Sequence, residues 1–506
     1  MFDASLFLEG AQRALELSNV LMLLLGALVG IIVGILPGMG PMVGMVVLLP
    51  FSYALDAGSA LSLLLGVFCG GYFGGGIPAV LMRTPGVPSS LITSFDGFPL
   101  TQRGESQLAL SATIVGSFGG GIISVICLIF MAPLLAGIAQ NFAPEEYFAA
   151  ALFGIVLVVM ANRKKLMESL ILLAIGLWAA TVGLDASTLS ARYNFGMPEM
   201  QSGLQIAPVC IGIFGVGQAF LLAEKNILSQ GADVHLSRGT LDLSKVWQVL
   251  KRWKTILMSG LIGTFVGLLP GTGSMLASFL SYEGAKKVSK TPEKFGTGMP
   301  EGCIASEAGN NAVPAGAMIP LLTLGIPGDS ISAVLLGVFT INGIYPGPLL
   351  LIKEPVLINE LYVSLLLINI FCLLFLIFWL RPFAMIVKIP GSILSAVILV
   401  MSLVGIYSVN TSFFDVCVAL AFGVLGYVLL KFDWPVVNLV MGIVLGSIFE
   451  QRLREGLSNS GGNPLVFFER PVSCCILLAT LAMIIVPLWM DRRKERKGRE
   501  TADQKG

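Results

Sequence analysis

The sequence predicts an all-α polytopic membrane protein of two inverted-topology repeats, with re-entrant hairpins, broken helices and roughly 11–13 membrane segments. Three observations carry this reading. Of 506 residues, 55% are hydrophobic and only 12% charged, and the apolar runs reach the roughly 20 residues that span a bilayer. Glycine and proline interrupt those runs at matching places in both halves of the chain. The loops alternate between basic and non-basic, as they do when successive spans cross in opposite directions.

The breaks come first because the rest of the chain is arranged around them. Gly34-Ile-Leu-Pro37-Gly38-Met-Gly40 is echoed by Gly267-Leu-Leu-Pro270-Gly271-Thr-Gly273. Thr84-Pro85-Gly86 is answered by Ile326-Pro327-Gly328, and Asp96-Gly97-Phe98-Pro99 by Asn342-Gly343-Ile344-Tyr345-Pro346. Irregular backbone is tolerated at membrane depth only where it meets protein, water or a ligand, so residues 267–348 are expected to line a cavity. Interrupted apolar segments at corresponding places in two halves point to the binding site of a secondary transporter.

In chain order, residues 1–18 form an amphipathic lead-in on the membrane surface, 19–223 a first transmembrane repeat and 224–253 a basic cytoplasmic linker. Residues 254–449 form the second repeat, 450–471 a periplasmic loop, 472–490 a last transmembrane helix and 491–506 a basic cytoplasmic tail. The span 107–133 starts near Arg103, whereas its counterpart 356–380 ends near Arg381, which makes the repeats inverted. From Lys254 to Leu269 there is room for roughly 24 Å of helix, short of the roughly 30 Å hydrocarbon core. Lysines at 286, 287, 290 and 294 follow, so the chain is expected to double back at Gly271 and, by the same logic, at Gly38. The spans 144–161, 166–184, 205–223, 390–409, 412–430 and 433–449 read as scaffold and as subunit contact in an oligomer. The loop 450–471, with Arg452, Arg454 and Arg470, reads as a docking surface for an external partner.

Composition also excludes. A net charge of +1 with its basic residues in loops gives no reason to expect nucleic acid. His235 is the single histidine, the eight cysteines include no CxxC pair, and no GxxxxGK[ST] occurs. Zinc-protease sites, a histidine dyad in the bilayer and an ATP-hydrolysing loop are therefore excluded, and no enzyme and no cofactor are expected. The apolar run from Val20 follows acidic residues, unlike a cleaved signal peptide.

A carboxylate entering the membrane loses hydration and needs donors in return. Backbone N–H groups freed at a Pro-Gly-x-Gly break, with the positive end of the following half-helix, supply them without a formal charge. Gly38, Met39, Gly40, Gly271, Thr272 and Gly273 are assigned to such contacts, Gly86 and Gly328 to the second pair of breaks, and the Thr84, Thr272 and Ser274 hydroxyls as further donors. Asn310 and Asn311 can each donate and accept, which suits a carboxylate or a sodium ion. Arg83 and Asp329 are the charges nearest the second breaks, and a charge at membrane depth is a functional hypothesis by default. Either they approach as near-equivalent positions and form an internal ion pair, or Arg83 forks a substrate carboxylate while Asp329 binds the coupling cation. Glu307 is a further ion-site candidate, and Glu301 reads as a helix-start residue at the surface.

The chain resembles the large permease subunit of the tripartite tricarboxylate transporter family of bacteria. The likeness rests on GILPGMGP, on TPG followed by DGFPL, on SYEGAKKVSKTPEKFGTGMPEGCIASEAGNNAV, and on LTLGIPGDS through GIYPGPLL. It departs at Arg83, where the family pattern has an uncharged residue, commonly Asn. The resemblance implies a multi-pass inner-membrane importer of small carboxylates, driven by a gradient of Na⁺ or H⁺. It also implies a small membrane subunit and a periplasmic solute-binding protein as partners. The rival reading is a non-transporting membrane receptor that docks a carboxylate-loaded binding protein.

Overall fold

The structure is a computed structural model and describes residues 4–36, 39–185, 188, 190–225, 240–385 and 391–485. His235, the Pro37-Gly38 tip and the basic tail 491–506 lie outside the described residues. Among the described residues, seven helices are long and apolar enough to cross a membrane, and five shorter apolar helices accompany them. The only strands among them are Gly183–Leu184 and Ala191–Arg192, a short antiparallel pair with Gly183 opposite Arg192.

Ten helices make up the two segments read from the sequence as repeats. In the first they are α1 (Leu17–Ile35), α2 (Gly40–Ser52), α3 (Ala57–Met82), α4 (Ser94–Gln102) and α5 (Ser106–Ala139). In the second they are α6 (Trp253–Leu268), α7 (Gly273–Val288), α8 (Pro300–Leu324), α9 (Ser330–Ile341) and α10 (Pro355–Phe378).

Each of the two segments opens with a helical hairpin. In the second, Ser281 on α7 donates to the Ser259 carbonyl on α6, and Ala277 packs with Val266, nearer the tip. In the first, Val43 packs with Val33 and Val47 with the same cluster as Val29, so α2 runs back along α1.

The third helix of each repeat is its centre. Residues 58–80 of α3 and 302–323 of α8 are buried without interruption. Such a helix needs no lipid-facing apolar stripe, which is why α8 can carry Glu307, Asn310 and Asn311 and does not rank among the apolar spans. Small residues bring the neighbours close. A Cβ at Gly34 would stand 2.1 Å from the Gly71 carbonyl oxygen, and one at Gly263 would stand 2.2 Å from that of Gly309. Glycine at these positions lets α1 meet α3, and α6 meet α8, backbone to backbone. Across the repeats, Gly120 on α5 meets the Ala308 carbonyl on α8, and Ser62 on α3 lies 3.1 Å from Ser364 on α10. Gly76 faces Glu307, while Gly97 faces both Val80 and Cys303. The two central helices therefore run antiparallel where they share a face.

The sequence halves are not the compact units. Among the described residues, one unit comprises those within 1–140 and 204–436, the other those within 141–203 and 437–485. Residues 141–203, inside the segment 19–223, pack with the chain from 437 onward: Gly176 lies on the Leu439 carbonyl and Gly442 on that of Leu173. In this second unit the span predicted to 184 ends at Ala180, and the strand Gly183–Leu184 follows. The loop predicted from 450 begins later, since Val437–Asn459 is one helix. Its charged end is held by ion pairs: Glu450 with Arg192 at 2.6 Å and with Arg454 at 2.8 Å, and Arg454 with Asp185 at 3.0 Å. A charged segment with partners at helical spacing continues a helix where composition alone suggests a loop. In the first unit, the N-terminal lead-in is the helix Ala4–Ala14, and Gly10 seats it on Asn359 and Glu360 of α10.

Candidate functional site

Within each repeat the two breaks touch. Gly86 at the second break would place a Cβ 1.9 Å from the carbonyl oxygen of Gly34, and Gly328 would place one 2.8 Å from that of Gly267. Only glycine permits this approach without displacing backbone. In the second repeat the Gly271 N–H also donates to the Gly328 carbonyl at 2.7 Å, so the hairpin tip and the second break are tied by a main-chain bond. In the first, the Gly86 N–H donates to the Gly75 carbonyl at 3.1 Å.

The hairpin tips turn on left-handed backbone. Gly40, Gly271 and Gly273 have φ of 65°, 77° and 70°, a region that side-chain-bearing residues enter at a cost. A Cβ at Gly273 would meet nothing within 4 Å, which leaves this turn open to an approaching group. Met39 is 7% exposed and packs among Val33, Leu36 and Val43. The Thr272 hydroxyl donates back to the Val266 and Leu269 carbonyls at 2.7 and 3.0 Å, so its proton serves the hairpin arm. Ser274 lies beside the hydroxyl of Tyr72, which reaches it from α3 of the other repeat and also lies near Asp329.

Asp329 caps α9. Its carboxylate accepts from the Ser332 N–H at 2.8 Å, while the Ser332 hydroxyl accepts from the Asp329 N–H at 2.8 Å. Arg83 forms no ion pair with it. Arg83 ends α3 in the left-handed region at φ 58°, exposed, with its guanidinium 6.0 Å from the Phe98 ring centre. The two are not equivalent positions: Arg83 matches Gly325, the left-handed cap of α8 at φ 71°. Thr84 is exposed beside it.

A second cluster lies deeper on α8. Glu307 is 0% exposed and accepts from Thr93 Oγ1 at 2.6 Å, and from Ser117 Oγ, Asn310 Nδ2 and Asn311 Nδ2 at 3.3 Å each. Asn311 Nδ2 also donates to Ser117 Oγ at 2.8 Å. Asn310 and Asn311 are 0% and 4% exposed, yet their side-chain carbonyl oxygens have no hydrogen-bond partner. A buried acceptor left unpaired costs about 1–3 kcal/mol, a cost that a bound ion or water relieves. Both amides turn their NH2 groups to the Glu307 carboxylate; a flip of each would bring its oxygen beside the carboxylate and make an oxygen-donor set that suits a hard cation.

Sequence reasoning singled out Glu307, Asn310 and Asn311; the structure adds Thr93 and Ser117 as hydrogen-bond partners of Glu307, and Tyr72 beside Ser274. Thr93 stands close ahead of the Asp96-Gly97 break, a usable signal. Ser117 sits in an ordinary apolar span and Tyr72 in a glycine run, and only packing brings them in. Glu301 pairs with Arg252 at 2.6 Å in the first turn of α8.

The Asp96 break serves structure. Asp96 Oδ1 accepts the N–H groups of Gly296, Gly298 and Met299 at 2.8, 2.8 and 2.7 Å, and Oδ2 accepts the Tyr282 hydroxyl at 2.9 Å. Arg103 adds a hydrogen bond to the Thr297 carbonyl. The first repeat thereby fixes the loop that leads into α8.

Hairpins, paired breaks and a polar buried centre are the parts of a membrane transporter, and the sequence model of the tripartite tricarboxylate transporter TctA family matches residues 20–441. The chain belongs to that family. Similar proteins include an uncharacterized 52.8 kDa protein in the TAR-I ttuC' 3' region of Agrobacterium vitis, 32% identical over 461 residues and covering 89% of each chain. An uncharacterized protein in the TAR-II ttuC' 3' region of the same organism is 36% identical over 238 residues, 46% of this chain and 97% of the relative. The TctA family is one of transporters, not enzymes, and the chain is a multi-pass membrane protein of that kind.

Proposed function

We propose that this chain is the translocating subunit of a tripartite importer in the bacterial inner membrane, moving a small di- or tricarboxylate with Na⁺ or H⁺. The observation that carries the reading is the Glu307, Asn310 and Asn311 cluster, a buried acid with two unpartnered amide oxygens on the central helix that bears the second break. Those three residues would hold the coupling cation, with Asp329 as a further candidate ligand. The open turn at Gly273, Ser274, and the N-terminal ends of α2 and α7 supply donors for the substrate carboxylate without a fixed positive charge. Met39, Gly40, Thr84, Gly86, Gly271, Thr272 and Gly328 would shape that region, with Gly38 assigned to it from the sequence, and Arg83, exposed at the end of α3, would fork a carboxylate at its edge.

The antiparallel run of α3 and α8 supports inverted repeats, the arrangement that lets one site open to either side in turn. A small membrane subunit and a periplasmic binding protein complete the system in this reading.

Uptake of a labelled carboxylate panel into cells co-expressing the chain with both partners tests it, with the sodium and proton gradients collapsed separately. Accumulation that one gradient abolishes is expected. Docking of a loaded binding protein without accumulation under either gradient would overturn transport in favour of a receptor.

A further inference from the structure

A cleft of about 430 Å³ opens at the lysine-rich base of the second hairpin, between the start of α6, the end of α7 and the loop into α8. Lys254, Thr255, Ser289, Lys290 and Thr291 give it its polar wall, with Met258 and Phe295 behind them. Lys254 and Lys290 are exposed, and neither has a carboxylate within ion-pair distance among the described residues. Glu301, the acid on the wall, is neutralised by Arg252 at 2.6 Å. Lys286 and Lys287 in the last turn of α7 add to the same field.

An apolar track leads away from this cationic cleft. Trp253, Leu257, Leu261 and Phe265 are 57%, 41%, 47% and 63% exposed. Their four-residue spacing puts them on one face of α6, with Trp253 at the end beside Lys254. Phe279 and Leu280 on α7 are likewise exposed, at 44% and 41%. Cations without carboxylate partners and hydroxyls at the head of an apolar stripe, with Trp253 at their junction and the Lys254 ammonium 5.8 Å from its ring centre, match an anionic amphiphile in both charge and polarity.

We propose that the cleft binds the phosphate of an anionic phospholipid, with Lys254 and Lys290 as its cationic ligands and the acyl chains along the α6 stripe. The site holds the base of the hairpin whose tip carries Gly271 to Ser274. It does not depend on the substrate or coupling ion of the transporter.

Native mass spectrometry of the purified full chain tests it, with phosphatidylglycerol, phosphatidylcholine and inorganic phosphate as probes. The wild type is expected to retain phosphatidylglycerol under activation that strips phosphatidylcholine. Lys254→Gln and Lys290→Gln should each weaken retention by about fivefold, while Phe265→Ser weakens it without altering any charge. Equal retention of both lipids, or undiminished retention by the double lysine variant, overturns the proposal. Full displacement by inorganic phosphate would show a free-anion site with no role for the acyl chains. A lipid-free dimer that Phe265→Ser dissociates would show that a second copy covers the stripe instead.

Discussion

Arg83 occupies the left-handed backbone position that Gly325 occupies in the other repeat, at φ 58° against 71°. A residue with a Cβ pays roughly 1 kcal/mol there, and such strain gathers at working sites. Arg83→Gly should therefore raise stability by about 1 kcal/mol, seen as a higher midpoint in thermal unfolding of the detergent-solubilised protein. Transport assayed in the same cells should fall through a higher KM if the guanidinium takes a substrate carboxylate. Unchanged KM would remove Arg83 from the substrate site.

Glu307→Gln keeps the shape of the buried cluster and removes its charge. Uptake should lose its dependence on the coupling gradient while substrate binding to the isolated subunit persists. Glu307→Ala is a different experiment. It removes the carboxylate that Thr93, Ser117, Asn310 and Asn311 share, leaves a buried void, and should cost about 3 kcal/mol or more in stability.

Gly86→Ala forces a methyl against the Gly34 carbonyl oxygen, at 1.9 Å if nothing moves. Overpacking of this kind costs about 1–3 kcal/mol, and here it also separates the two breaks. Gly337→Ala on α9 is the control, since its Cβ would meet nothing within 4 Å. That substitution should be neutral or stabilising by up to about 1 kcal/mol. Equal thermal midpoints for the two variants would mean that the breaks do not touch.

Asp96→Ala removes the acceptor for three main-chain N–H groups and the Tyr282 hydroxyl. A loss of about 3 kcal/mol or more is expected, against about 1 kcal/mol for Tyr282→Phe. Thermal unfolding separates the two. Near-identical losses would show that the loop 291–299 is held by other contacts.

Gln102 and Lys353 are exposed near the ends of corresponding segments of the two repeats. With Cys417 and Cys475, the exposed cysteines among the described residues, replaced, single cysteines at 102 and 353 should react with an impermeant thiol reagent from opposite sides of the membrane. Labelling from one side would overturn inversion.

What the sequence by itself determined is the helical membrane class, the family, the hairpins and the places where helices break, because these depend on local properties. Apolar length, proline, and glycine at left-handed turns are readable one residue at a time. Glu307, Asn310 and Asn311 stood out for the same reason, as polar groups in an apolar run. Tertiary structure decided what those groups meet. Ser117 and Thr93 reach Glu307 from the other half of the chain, Asp96 clamps the loop that leads into α8, and Arg83 matches Gly325 and not Asp329. It also decided that residues 141–203 pack with 437 onward, leaving the halves read from the chain interleaved. Contacts between segments hundreds of residues apart depend on which glycine faces which carbonyl, and no local pattern encodes that pairing.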